Sequence, residues 1–191
     1  MSKTNITLRL EELLWNTIRD KKLFGCLEVT IGWFGKERVD CLTYDTTDIF
    51  RCFEIKSSKQ DFYSKSKHTF VGHYNYYVTI QELYEQVKKD IPSHIGVYIE
   101  DKTHWKRNLL KSIKPAKKQD LGVSKRILKD SLIRSLSRDA AKYMGMRNKE
   151  VLIKEGQKLK IKNRDLEWEI ENLRDELEYL RGEIKRKEGK K

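Results

Sequence analysis

In the opening stretch "ITLRLEELLWNTIRDKKLF", apolar residues at 10, 13, 14 and 18 recur at the spacing of one helix face. This predicts an N-terminal helix, with Thr7 placed to cap its start and Gly25 following its end. The pattern then shortens to strand-like runs, "CLEVTIGW" and "ERVDCLTYD", around "FGK", where Gly35 supports a hairpin. A turn over Asp45 to Asp48 leads into a third strand, Phe50–Ser57. "QDFYSKSKHTFVG" reads as a helix or turn-plus-helix ending near Gly72, and "YNYYVTI" as a fourth strand. "QELYEQVKKDI" is a short helix stopped before Pro92, and "HIGVYIED" a fifth strand. The order α-β-β-β-α-β-α-β over residues 5–101 predicts an α/β fold, a sheet of mixed direction covered by helices.

From residue 102 the pattern changes. "KTHWKRNLLKSIKPAKKQDLG" has little periodicity and contains Pro115, so it reads as a loop or extended arm. Residues 127, 128, 132, 133, 136 and 140 then form a helical apolar stripe with Arg and Lys opposite. Further on, Leu152, Leu159, Leu166, Leu173 and Leu180 recur every seven residues, with Gly156, Asn163, Ile170, Leu177 and Ile184 four after each. Leucines at d, with Ile and Leu at a, predict a parallel two-stranded coiled coil and a homodimer. Asn163, polar at an a position, would fix its register. A lone helix folded back on the body, or a trimer, would use the same stripe. Three regions follow: 1–101, 102–149 and 150–191.

Composition sharpens this division. The net charge is +12, and apolar residues are only 38% of the 191 against 37% charged, too few for one core spanning the chain. Residues 1–101 hold 14 Lys and Arg against 15 Asp and Glu, residues 102–149 hold 15 against 3, and residues 150–191 hold 12 against 11. The whole excess sits in the middle region, which favours a polyanion, although a solvated face has the same composition. No apolar run reaches the length of a membrane span. The start "MSKTNITLRLEELL" lacks the apolar core of a signal peptide. Cys26, Cys41 and Cys52 lack CxxC spacing, and the four histidines form no zinc pattern with them, so the cysteines read as reduced strand residues.

The strand "IFRCFEIK" carries the chemistry. Glu54 and Lys56 are two apart and share one strand face, while Phe53 and Ile55 take the other. Asp40, on the neighbouring predicted strand, comes within reach of the same point if the meander pairs normally. Two carboxylates with water and carbonyl oxygens, among them that of Ile55, suit Mg²⁺, which keeps several waters. Lys56 would then orient or help deprotonate a water, or stabilise charge on a phosphate. Glu11 lies at the margin of the first helix's apolar face and can lean over the sheet, whereas Glu12 is solvated. The same residues could instead form a structural ion-pair cluster.

Next to these, Lys59 and Gln60 follow Lys56 closely, and Asp61 suits either a helix cap or the site. Lys65, Lys67, His68 and His73 interleave with Tyr74, Tyr76 and Tyr77, a mix suited to phosphate contact and base stacking or to strand packing. Lys117, Lys118, Lys125 and Arg126 are candidate phosphate contacts in the basic region.

Asp40, the tripeptide Glu54-Ile55-Lys56 and the element order around them resemble the PD-(D/E)xK nuclease superfamily. "FEIKSSKQDF" with the basic stretch and aromatic strand after it is similar to the subgroup of MmcB-like DNA-repair nucleases and related phage-encoded proteins. The resemblance covers residues 5–101; Val39 stands before Asp40, where many members have proline. It implies a restriction-endonuclease-like core, with Asp40 and Glu54 as metal ligands, Lys56 as the catalytic lysine and Glu11 as the helix-one glutamate. It further implies Mg²⁺, with Mn²⁺ substituting, and cleavage of duplex or branched DNA in repair, recombination or phage DNA processing. The expected location is cytoplasmic, in a bacterium or a phage-infected host. Two rival readings use the same features: a non-catalytic DNA-binding protein in which a basic helix feeds a leucine zipper, and a scaffold whose coiled coil recruits another chain.

Overall fold

A computed structural model describes residues 3–35, 37–64, 69–103 and 108–188. The elements in chain order are α1 (Asn5–Asp20), β1 (Phe24–Thr30), β2 (Arg38–Tyr44), β3 (Phe50–Lys56), α2 (Lys59–Phe62), β4 (Tyr74–Thr79), α3 (Gln81–Val87), β5 (Gly96–Glu100), β6 (Leu110–Lys114) and α4 (Lys125–Glu188). The strands form one six-stranded sheet in chain order. β1, β2 and β3 make an antiparallel meander, β3, β4 and β5 run parallel, and β6 returns antiparallel to β5. The chain is thus α/β, a mixed sheet followed by a long C-terminal helix.

α1 buries Leu10, Leu13, Leu14 and Ile18, the positions its spacing singles out. Its cap is Thr4 rather than Thr7: the Thr4 hydroxyl accepts the Thr7 N–H at 3.2 Å. Lys21 ends the helix. Gly25 lies inside β1, where a Cβ would stand 3.1 Å from a Thr43 methyl and 3.2 Å from an Ile18 methyl. That glycine permits close helix–sheet packing instead of stopping the helix.

Each sheet face has its own core. α1 packs with Cys41, Phe53, Ile55 and Val78 on one. On the other, Leu128 and Leu132 of α4 pack with Phe50, Cys52 and Leu42, and α3 packs with Tyr77 and Val97. The apolar stripe beginning at residue 127 is therefore a sheet-covering surface at its first turns. α2 is a single turn, shorter than the pattern predicts, capped by Ser58.

β6 falls inside the stretch read as an extended arm. Only Leu110 is buried among its residues, so no local period marks it. What holds it is tertiary: the open edge of β5, and Thr17, whose hydroxyl accepts the Leu110 N–H at 2.8 Å while donating to the Leu13 carbonyl at 2.8 Å. The chain divides into two compact units, Met1–Asp139 and Ala140–Lys191, with the boundary inside α4.

Candidate active site

β3 alternates as its sequence requires. Phe53 and Ile55 enter the core under α1, while Phe50 and Cys52 enter the opposite one, which sends Glu54 and Lys56 to that second face. Both charged side chains are buried, at 5% and 4% exposure. The β2–β3 ladder runs from Tyr44–Phe50 to Cys41–Phe53. One step further, the Asp40 carboxylate takes the place of a ladder carbonyl and accepts the Ile55 N–H at 2.8 Å. The parting of the two strands thus leaves Asp40 beside Glu54 and Lys56.

Burial pushes the Asp40 carboxyl up, against the Ile55 N–H and the nearby Lys56 and Arg38. Glu54 is pushed up to about 8, chiefly by burial and then by Asp40, although Lys56 and the Thr69 N–H act the other way. The Glu54 Oε1 atom has no hydrogen-bond partner among the described residues. A buried, unpaired carboxylate oxygen is costly, which favours either a bound proton or a cation.

Lys56 Nζ lies 3.6 Å from Asp61 Oδ1, and the other Asp61 oxygen accepts the Ser57 N–H at 3.3 Å. Ser58 caps α2 by accepting the Asp61 N–H at 3.1 Å. Asp61 therefore both steadies the helix entry and flanks Lys56. The Ser58-x-x-Asp61 spacing is a readable cue for the first role, and both roles open to Asp61 in the sequence are present. Tertiary placement alone reveals the Thr69 N–H and Lys3 as participants. Lys3 bridges Glu11 at 2.6 Å and Glu28 at 2.5 Å. Glu11 is thus engaged by a lysine, at the side of β1 where Glu28 stands across from Asp40 in the strand register. Glu28 takes a left-handed φ of 52°, an uncommon conformation for a residue with a side chain.

Lys59 and Gln60 are exposed on α2, directly after the site. Lys65, Lys67 and His68 lie outside the described residues. The basic-region candidates sit elsewhere. The Lys117 N–H donates to His94 ahead of β5, and Lys125 pairs with Asp48 ahead of β3 at 3.5 Å. Lys118 lines a depression beside His73, ahead of β4. Because β3, β4 and β5 run parallel, these cations lie at the opposite end of the strands from Lys56, about 20 Å away at ~3.3 Å per residue. Arg126 is exposed and pairs with Asp130 at 3.8 Å. His73 Nδ1 accepts the Phe50 N–H at 3.0 Å, again at the far end. Tyr76 stacks on Phe53, and Tyr77 packs against Phe62 and Phe70, so these rings serve packing.

Among the described residues no group of three or more His, Cys, Asp or Glu side chains is assembled as a metal cage. The Asp40–Glu54 pair, with one orphaned oxygen, fits an ion that keeps most of its ligands as water.

No protein-family model matches the chain, and no curated protein does. Among solved structures, the SPO1766 protein of unknown function from Silicibacter pomeroyi is similar, with a TM-score of 0.59 and 17% sequence identity over 78% of this chain and 96% of that chain. At that identity the likeness shows a shared fold and nothing further.

Proposed function

We propose that the chain is a Mg²⁺-dependent DNA nuclease of the PD-(D/E)xK type, an endonuclease or exonuclease, with Asp40, Glu54 and Lys56 as its site. The observation that carries this reading is the buried Glu54 Oε1 beside Asp40, without a partner among the described residues. The α-β-β-β-α-β order with an antiparallel meander leading into a parallel strand is consistent with it. Asp40 and Glu54 would hold the ion, or Mn²⁺ in its place, and their shared burial disfavours leaving both as bare anions. When bound, the ion supplies a polarised phosphoryl oxygen and a water of lowered pKa. Lys56, flanked by Asp61, presents an ammonium to negative charge developing on the phosphate. Glu11, held by Lys3, is assigned a supporting role at the margin. Lys59 and Gln60, exposed directly after Lys56, would meet the DNA next to the scissile bond. Lys117, Lys118 and Lys125 would grip phosphates about 20 Å away, roughly six base steps of a duplex.

The test is a panel of labelled linear, single-stranded and branched DNAs with Mg²⁺, Mn²⁺ or EDTA. Wild type should cut with either metal. Lys56→Ala and Glu54→Gln, folded by circular dichroism, should each lose about a hundredfold or more. Undiminished cutting by Glu54→Gln would remove the mechanism. Binding without cutting by wild type would leave the non-catalytic alternative. The zipper-type version of that alternative fits poorly, since the first turns of α4 bury Leu128 and Leu132 against the sheet.

We also propose that residues from 152 onward pair in parallel with a second copy. In the single chain Leu159, Leu166, Ile170, Leu173 and Leu177 are exposed along one stripe; the side chains of Leu180 and Ile184 lie outside the described residues. In a parallel, in-register pair each g residue meets the e residue five positions later on the other chain. Glu155 meets the partner's Lys160, Lys162 the partner's Glu167, Glu169 the partner's Arg174 and Glu176 the partner's Arg181. Four successive opposite-charge pairs favour self-association in this register over a lone helix or an unrelated partner.

A further inference from the structure

The β1–β2 hairpin closes through the Ile31 N–H, which donates to the Glu37 carbonyl at 3.0 Å. Its tip is Gly32-Trp33-Phe34-Gly35. Phe34 is 99% exposed and Trp33 75%. Two neighbouring aromatic rings in solvent call for a ligand, because they forgo apolar burial that a fold with two cores could have supplied.

The backbone under the rings is fixed. Gly32 has a φ of 75°, and a Cβ at Gly35 would stand 1.6 Å from the Ile31 carbonyl oxygen, so both flanking positions require glycine. The Gly32 N–H donates to the buried Ser131 hydroxyl at 2.9 Å. Arg134 donates to the Thr30 and Gly32 carbonyls at 3.0 and 2.6 Å, and its guanidinium lies 4.9 Å from the Trp33 ring centre. The first turns of α4 thus hold the tip in place with its rings outward.

The tip stands at the chemical end of the sheet. It joins the end of β1 to the start of β2, and β2 reaches Asp40 at its third residue. Because β3 runs antiparallel to β2, Glu54 and Lys56 finish at this same end. Arg38, exposed between tip and site, adds a cation.

We propose that Trp33 and Phe34 are a stacking platform for unpaired nucleobases, and that the substrate of the Asp40–Glu54–Lys56 site carries a single-stranded segment or an opened junction. Flat rings beside fixed cations suit bases on a phosphate backbone, and every base offers a face to stack on. The inference rests on the nuclease reading for the neighbouring site, but its test does not require cleavage.

The experiment measures anisotropy of a fluorescent dT20 and of a 20-base-pair duplex with the full chain in EDTA. Trp33→Ala/Phe34→Ala should weaken dT20 binding at least about tenfold and duplex binding less than about threefold. Trp33→Phe should keep most of the dT20 affinity. Equal weakening of both DNAs, or of neither, overturns the proposal. So does unchanged dT20 binding together with lost sedimentation on phosphatidylglycerol vesicles, which would make the tip a membrane contact. A parallel Mg²⁺ cleavage assay separates the two claims: selective dT20 loss without cleavage of any DNA by wild type sinks the nuclease reading and leaves the platform.

Discussion

The proposed chemistry depends most on one side chain, Glu54. Its carboxyl is pushed up to about 8 by burial and by Asp40, from an ordinary value of 4.5. The folded state then binds this proton more tightly than the unfolded chain. Its contribution to stability is whole below about pH 4.5, drains as the pH rises, and is gone above about 8. Asp40, raised by burial, acts in the same sense. In EDTA, the urea midpoint of wild type should fall between pH 5 and pH 8. Glu54→Gln should escape that part of the fall and exceed wild type at pH 8 by on the order of 2–4 kcal/mol. Under the proposed function Mg²⁺ should restore wild type at pH 8, since the cation would take the proton's place. Parallel pH profiles for the two proteins would show that Glu54 carries no such strain.

At the scale of elements, β6 shows how a strand forms without a pattern of its own. Its N–H at Leu110 ends on the Thr17 hydroxyl of α1. Thr17→Val keeps the shape and removes that acceptor, leaving a buried donor unpaired. We expect a loss of about 1–3 kcal/mol in global stability and faster hydrogen exchange at the Leu110 amide than at Val97 in β5. Unchanged exchange at Leu110 would mean that the β5 ladder alone secures the strand. The hairpin tip is the converse case: its turn is local, but Ser131 and Arg134 of α4 add contacts to its backbone from far along the chain.

At the scale of the whole molecule stand the proposed pairing of two copies and the placement of the positive charge. Leu166→Asp places a charge at a d position of the proposed seam. Sedimentation equilibrium should report a dimer for wild type and a monomer for the variant, with thermal unfolding of residues 1–139 largely unmoved. A wild-type monomer at micromolar concentration would remove the pairing. The basic-region candidates do not stand beside the carboxylates. Lys117, Lys118 and Lys125 collect by the strand starts and Lys56 stands at a strand end, so one DNA would have to run along the sheet to touch both.

By itself the sequence determined the order of the first eight elements, the two-faced strand of Glu54 and Lys56, and the seven-residue stripe. Each follows from a local period, and local periods survive without knowledge of the rest of the chain. Asp40 could be named for the same reason: a meander of short turns leaves little choice of neighbour. Only the tertiary structure decided that β6 exists, that Asp61 and the Thr69 N–H close around Lys56 and Glu54, that Lys3 holds Glu11, and that Lys117, Lys118 and Lys125 sit at the far end of the sheet. These depend on contacts between residues tens of positions apart. Which carboxylate loses its water, and which aromatic ring keeps it, is fixed by burial, and burial belongs to the assembled sheet and helices rather than to any stretch of sequence.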